Sequence, residues 1–275
     1  QLMSGGSVAN SIIAFSQLGG KGGFVGRLGD DKFGTHYRDE FGKLGIKFHG
    51  GLSTDQPSGT CVSLVTPDSE RTMITSLGAS AELGEDSIEK SILQSSEWCF
   101  IEGYVIGNPE NGHGAVSRVT QFAQECESKI AVTFSAPFII DVFREQLEDV
   151  VNHASMVFAN EEEGPLYTGS DSPEAARDAL MDVVPHVVVT AGAQGCYIGV
   201  KGERFHVPAF SCTPVDLTGA GDMFAGAYLF GILDGMTVED SASMANFLAS
   251  RVITQYGARL MQDPLELWKE RGATV

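Results

Sequence analysis

The chain has 275 residues, enough for one large domain with a generous core, and its 43% hydrophobic and 20% charged residues are an ordinary globular balance. A formal net charge of −18 argues against nucleic acid as a partner, because such binding needs a cationic surface that displaces counterions. No apolar run is long enough to cross a bilayer and no secretory leader opens the chain, so neither membrane association nor export is expected.

Five scattered cysteines (Cys61, Cys99, Cys126, Cys196, Cys212) form no CxxC pair, which points to reduced thiols in a cytoplasmic protein. In chain order, Gly5-Gly6-Ser7-Val8-Ala9-Asn10 opens the first predicted helix, with Val8, Ile12 and Phe15 at helical spacing. It reads either as a plain turn with Ser7 as N-cap or as a substrate loop. In the second reading the glycine pair lets backbone amides approach a ligand, and Asn10 bonds a polyhydroxylated substrate. A helix that opens without a strand before it, together with Gln1 at the start, reads as a fragment of a longer protein.

Strands are expected at 24–28, 98–101, 130–134, 156–159, 187–190 and 196–200. Helices are expected at 111–128, 139–152 and 173–183, the last with Ser172 as N-cap and Pro173 at the first helical position. This alternation predicts a mostly parallel sheet covered by helices. Between 59 and 75 the pattern changes to two strand-like runs around Pro67-Asp68-Ser69-Glu70, a hairpin signal that reads as a small β flap. The predicted organisation is an α/β core at 1–54 and 79–275 and a lid segment at 55–78, with the rest of the lid upstream of Gln1.

Four stretches carry chemistry. Asn160-Glu161-Glu162-Glu163 follows a predicted strand directly. Its Asn160 and Glu163 are candidates to order waters around magnesium, or else form the acidic first turn of a helix. Thr190-Ala191-Gly192-Ala193-Gln194-Gly195 either cradles nucleotide phosphates or turns one strand into the next. Arg71, on the flap, is either solvated or a charge clamp on a phosphoryl group. The strongest signal is Asp216-Leu217-Thr218-Gly219-Ala220-Gly221-Asp222, which runs into the apolar segment 223–234. Small residues before a helix leave N–H groups pointing one way, and the dipole adds about half a positive charge. Asp222 then either caps that helix or takes the proton from an attacking alcohol beside an anion hole made by Gly219, Ala220 and Gly221. The six histidines show no metal-ligand spacing.

Taken together these motifs resemble the ribokinase-like (PfkB) sugar and nucleoside kinases. The glycine-pair signature continues through Leu18-Gly19-Gly20 and the stretch from Gly26 to Gly34, the Asn-Glu-x-Glu element follows, and the Asp216 to Asp222 signature closes the series in family order. The resemblance implies a Rossmann-like three-layer α/β/α fold with a small β lid, and phosphoryl transfer from ATP to a primary alcohol. It implies Asp222 as base, assisted by Gly219, Ala220, Gly221 and Arg71. Substrate would meet Gly5, Gly6, Ser7, Asn10 and Phe138. Nucleotide would meet Thr190, Gly192, Gly195 and, from the predicted helix 238–254, Asn246. Magnesium would be organised by Asn160 and Glu163, and potassium is a further candidate ion.

Three segments, Gln56-Pro57-Ser58-Gly59-Thr60-Cys61, Arg71-Thr72-Met73-Ile74 and Ser135-Ala136-Pro137-Phe138-Ile139, resemble the adenosine kinase branch. That favours conversion of adenosine to AMP, with a ribose- or fructose-type sugar kinase as the alternative and a non-catalytic nucleotide or sugar sensor behind both. The partner is then a small nucleoside or sugar, and the protein a monomer or homodimer. The family's upstream strand, with an aspartate that grips sugar hydroxyls, has no counterpart in this sequence.

Overall fold

The computed structural model describes residues 2–66 and 71–271, without the side chain of Arg71. Two compact units form: one contains the residues up to Ser80 together with those from Val207 onward, the other is Ala81–His206.

The second unit is built on a six-stranded sheet. Its strands are β7 (Trp98–Glu102), β8 (Lys129–Thr133), β9 (Met156–Ala159), β10 (His186–Thr190), β11 (Cys196–Val200) and β12 (Glu203–Val207), ordered β12-β11-β10-β9-β8-β7. β7 to β10 are mutually parallel, and β11 runs antiparallel to β10. Val187, Val188 and Val189 are all fully buried, as expected of a strand covered on both faces. β9 and β11 fall at their predicted bounds. β12, rich in charged and polar residues, gave no strand signal in the sequence. Helices Gly112–Cys126 and Pro173–Leu180 take their expected places. Ser172 caps the latter by accepting from the Ala175 N–H at 3.2 Å. The single helix expected over 139–152 is two, Pro137–Val142 and Arg144–His153, broken at Phe143 (φ −121°, ψ 32°). Apolar periodicity runs through both pieces, so the break leaves no mark on the pattern.

The first unit holds helices Ser7–Gln17, Lys32–Lys43, Ala220–Leu233 and Val238–Val252. The strand expected over 24–28 splits into β1 (Gly23–Val25) and β2 (Leu28–Gly29). These pair in parallel with β3 (Lys47–His49) and β4 (Leu52–Ser53). The step lies where a Cβ on Gly50 would overlap the Gly26 carbonyl, a close approach that only glycine permits. Asp31 caps the Lys32–Lys43 helix, its Oδ1 accepting from the N–H groups of Phe33 (3.0 Å) and Gly34 (2.8 Å).

The predicted flap is a hairpin of β5 (Thr60–Val65) and β6 (Arg71–Ser76), antiparallel and in register from Thr60 opposite Ser76 to Val65 opposite Arg71. Its root is fastened at Ser58, whose N–H and Oγ both donate to the Asp31 carboxylate at 2.8 Å. Val62, Leu64, Met73 and Ile74 on its strands are exposed. Among the described residues, no helix is long and apolar enough to cross a membrane.

Candidate active site

In the first unit, the signature from 216 to 222 folds as a loop locked by its own aspartate. Asp216 is buried. Its Oδ1 accepts from the Thr218 N–H (2.9 Å) and Oγ1 (2.6 Å), and its Oδ2 from the Gly257 N–H (2.9 Å). Gly219 follows with φ 80°, a left-handed conformation that favours glycine, and a Cβ there would run into Ala258. The helix Ala220–Leu233 then begins with Gly219 as N-cap and no side-chain cap. A helix's opening N–H groups have no acceptors within the helix. The Ala220 N–H makes only a long bond to the Leu217 carbonyl (3.5 Å), and a helix terminus of this kind suits an anion.

Asp222 is the third residue of that helix, so it is not the N-cap. Its carboxylate is gripped by a second helix: Ser7 Oγ donates to Oδ1 at 2.7 Å, and Asn10 Nδ2 donates to Oδ2 at 2.8 Å. The local sequence makes this meeting possible. A Cβ on Gly226 would overlap the Ser11 carbonyl oxygen, so the two helices cross backbone to backbone there. One turn back along each helix stand Ser7 and Asp222. Seven of the helix's residues from Met223 to Leu229 are buried in succession, which fixes it as a core element.

The plain reading of Ser7 as N-cap is corrected. Gly6 (φ 116°) occupies that position, and the Ser7 hydroxyl reaches across to Asp222. Asn10 is buried, and its Oδ1 has no hydrogen-bond partner among the described residues. Gly5 and Gly6 are exposed. The segment before them is pinned by a group that sequence reasoning missed. Arg259 pairs with Glu40 (Nη1 to Oε1, 2.5 Å) and donates from Nη2 to the Ser4 carbonyl, while the Ser4 N–H donates to Glu40 Oε2 at 3.0 Å. These donors hold the Glu40 carboxyl below its ordinary range, although burial pushes the other way. Asn246, from Val238–Val252, is buried and donates to the carbonyls of Val207 (3.0 Å) and Pro208 (3.2 Å), which anchors the chain as it leaves β12.

In the second unit, Asn160 and Glu163 sit at the carboxyl end of β9 and hold each other. Asn160 Oδ1 accepts from the N–H groups of Glu162 (2.9 Å) and Glu163 (2.8 Å), and Glu163 Oε2 accepts from the Asn160 N–H (3.0 Å). These reciprocal bonds close the turn that leads into helix Glu163–Thr168, whose N-cap is Glu162. Burial pushes the Glu163 carboxyl up to about 7. Among the described residues no three His, Cys, Asp or Glu side chains converge as a metal cage.

Thr190 ends β10, and Gly192 (φ 48°) and Gly195 (φ 94°) turn the chain into antiparallel β11. The stretch thus forms the turn between the two strands. A Cβ on Gly192 would press on the Glu161 carboxylate. Phe138 is exposed and lies 6.1 Å from the ring of exposed Tyr104, the planes tilted by 35°. The sequence offered a signal for Tyr104, an aromatic two residues past β7, that went unused. Ser135 takes φ 72° between β8 and Phe138, and its Oγ accepts from the Gly103 N–H at 2.9 Å. The Arg71 side chain lies outside the described residues.

Residues 1–264 match the family model described as pfkB family carbohydrate kinase. Among curated proteins, adenosine kinase of Saccharomyces cerevisiae is 28% identical over 94% of this chain and 79% of its own length. Probable fructokinase-4 of Arabidopsis thaliana is 30% identical over 89% of this chain and 78% of its own. Among solved structures, adenosine kinase from Sinorhizobium meliloti superposes with a TM-score of 0.92 at 28% identity, covering 99% of this chain and 84% of the other. The α/β architecture is thus the ribokinase-like fold.

Proposed function

The chain belongs to the pfkB family of carbohydrate kinases, phosphotransferases with an alcohol acceptor, and on that premise we propose that it moves the γ-phosphoryl group of ATP onto the primary hydroxyl of a nucleoside, adenosine first, giving AMP. The observation that carries this reading is the Asp222 carboxylate, held on both oxygens at the uncapped start of a 14-residue helix.

In this reading the acceptor hydroxyl gives its proton to Asp222 as its oxygen bonds to phosphorus and ADP departs. The N–H groups of Ala220, Gly221 and Asp222 meet the charge on the moving phosphoryl group. Gly5 and Gly6 bring backbone amides to the acceptor, and the Asn10 Oδ1, without a partner among the described residues, accepts from a sugar hydroxyl. Thr190, Gly192, Gly195 and Asn246 line the nucleotide, Arg71 clamps phosphate, and the hairpin at 55–78 serves as lid to a core at 1–54 and 79–275.

Asn160 and Glu163 are hard oxygen donors already committed to backbone N–H groups. They therefore fit a hydrated magnesium ion, held through its waters, better than one bound directly. Magnesium, when bound, shields charge on the ATP phosphates. The exposed Tyr104–Phe138 pair supports a flat heterocycle over a bare sugar, since a purine ring stacks on aromatic walls. The 30% identical fructokinase keeps a sugar acceptor as the second reading.

The test is ADP release from magnesium ATP with adenosine, inosine, ribose and fructose in parallel. Turnover of adenosine well above the sugars is expected. Preference for ribose or fructose overturns the nucleoside assignment and leaves the kinase. Binding of ATP without turnover of any acceptor favours a sensor.

A further inference from the structure

We propose that Ser7 acts as a positioning residue for Asp222 and not as a hydrogen-bond donor to the acceptor, an inference that rests on Asp222 being the base as read above. Ser7 is the first residue of its helix, one place past the N-cap Gly6. Its hydroxyl is thus spared the capping work that serine performs at so many helix starts. Its only hydrogen is donated to Asp222 Oδ1, so it is spent as a donor on the carboxylate, whereas the Asn10 Oδ1 has no partner among the described residues.

The geometry explains why a side chain from this helix should be the anchor. Ser7 and Asn10 are three residues apart and share one helix face. Ser7 donates to one carboxylate oxygen and Asn10 to the other, at 2.7 and 2.8 Å, and donors on both oxygens define the plane of the carboxylate as a donor on one cannot. The helix that carries them is itself indexed against the Asp222 helix, because the Gly226–Ser11 crossing excludes any Cβ. A carboxylate on a short side chain otherwise turns about two torsions. An acceptor hydroxyl in line with phosphorus requires it in one orientation. During transfer the acceptor O–H bond breaks, its oxygen bonds to phosphorus and its proton goes to the Asp222 carboxylate. The Ser7 proton stays on Ser7.

Positioning and substrate contact separate kinetically. Wild type, Ser7→Ala, Ser7→Thr, Asp222→Asn and the Ser7→Ala/Asp222→Asn double variant are assayed for ADP release. The substrates are magnesium ATP and whichever of adenosine, inosine, ribose and fructose the wild type uses fastest. Loss of a hydrogen bond to a charged group should lower kcat of Ser7→Ala about 10- to 100-fold, with both KM values within about twofold of wild type. Ser7→Thr, which keeps the hydroxyl, should recover to within about threefold of wild type. In the Asp222→Asn background the same deletion should cost less than about threefold, because the two residues act as one unit. Ser7→Cys, with a weaker donor and similar volume, should show an intermediate loss even if the alanine variant folds poorly.

A raised acceptor KM with kcat unchanged makes Ser7 a substrate contact and overturns the proposal. An equal kcat loss in both backgrounds overturns it too. An Asp222→Asn variant as active as wild type, or a wild type inactive on every acceptor, instead defeats the reading of the base on which the proposal stands.

Discussion

Two acidic side chains, Asp222 and Glu163, stand in the first turns of helices, one in each unit, and the fold uses them in opposite ways. Asp222 is half-buried and held from outside its own helix by Ser7 and Asn10. Glu163 is buried and turned back onto its own backbone at the Asn160 N–H, where burial pushes its carboxyl up to about 7. Both satisfy the general preference for acids at helix N-termini. The difference shows that residue type and helix position do not set the task of a carboxylate. A side chain fastened by tertiary neighbours keeps its own helix terminus open to a ligand, whereas Glu163 is spent on the backbone of its own turn.

That contrast breaks first at its tertiary anchors. Arg259→Met removes the cation from a pair whose arginine is buried, and the loss should lower unfolding free energy by about 3 kcal/mol, read from urea denaturation. Gly226→Ala should follow at about 2 kcal/mol, since the new methyl meets the Ser11 carbonyl and forces the helices apart. Its kcat should fall as well, because Ser7 and Asp222 separate. On the locally held side, Asn160→Ala deletes the acceptor of two N–H groups and should cost about 1 kcal/mol.

The smallest effect is expected for Glu163→Gln and sharpens the comparison through pH. Burial pushes the folded carboxyl up to about 7, above the ordinary 4.5 of a glutamate. The protonated form is therefore favoured by folding, and its contribution is complete below about pH 4.5 and disappears as pH rises through about 7. In EDTA, wild-type melting temperature should decline across that window relative to Glu163→Gln, which cannot ionise. Parallel pH profiles would contradict the assignment.

The elements that carry this contrast were legible to different degrees. Strands β9 and β11 and the hairpin of β5 and β6 stood out because short β-branched or aromatic runs ended at glycine, proline or acidic turns. β2 and β4 have two residues each, too few for a period to register. Asp222 was visible through its glycine-rich approach. Its Ser7 and Asn10 partners lie more than 200 positions away, and their aim depends on a helix crossing that no local pattern encodes. The Arg259–Glu40 pair escaped for the same reason: each residue, taken alone, reads as an ordinary surface charge. Tyr104 was recoverable, since it follows β7 as Phe138 follows β8.

The most direct test of Asp222 as a catalytic base is acceptor-dependent ADP release by Asp222→Asn beside wild type, with ATP binding measured calorimetrically on both. A fall in kcat of about a thousandfold with ATP affinity within about threefold of wild type is the expected result. Turnover that survives the substitution would contradict the assignment of Asp222 as the base.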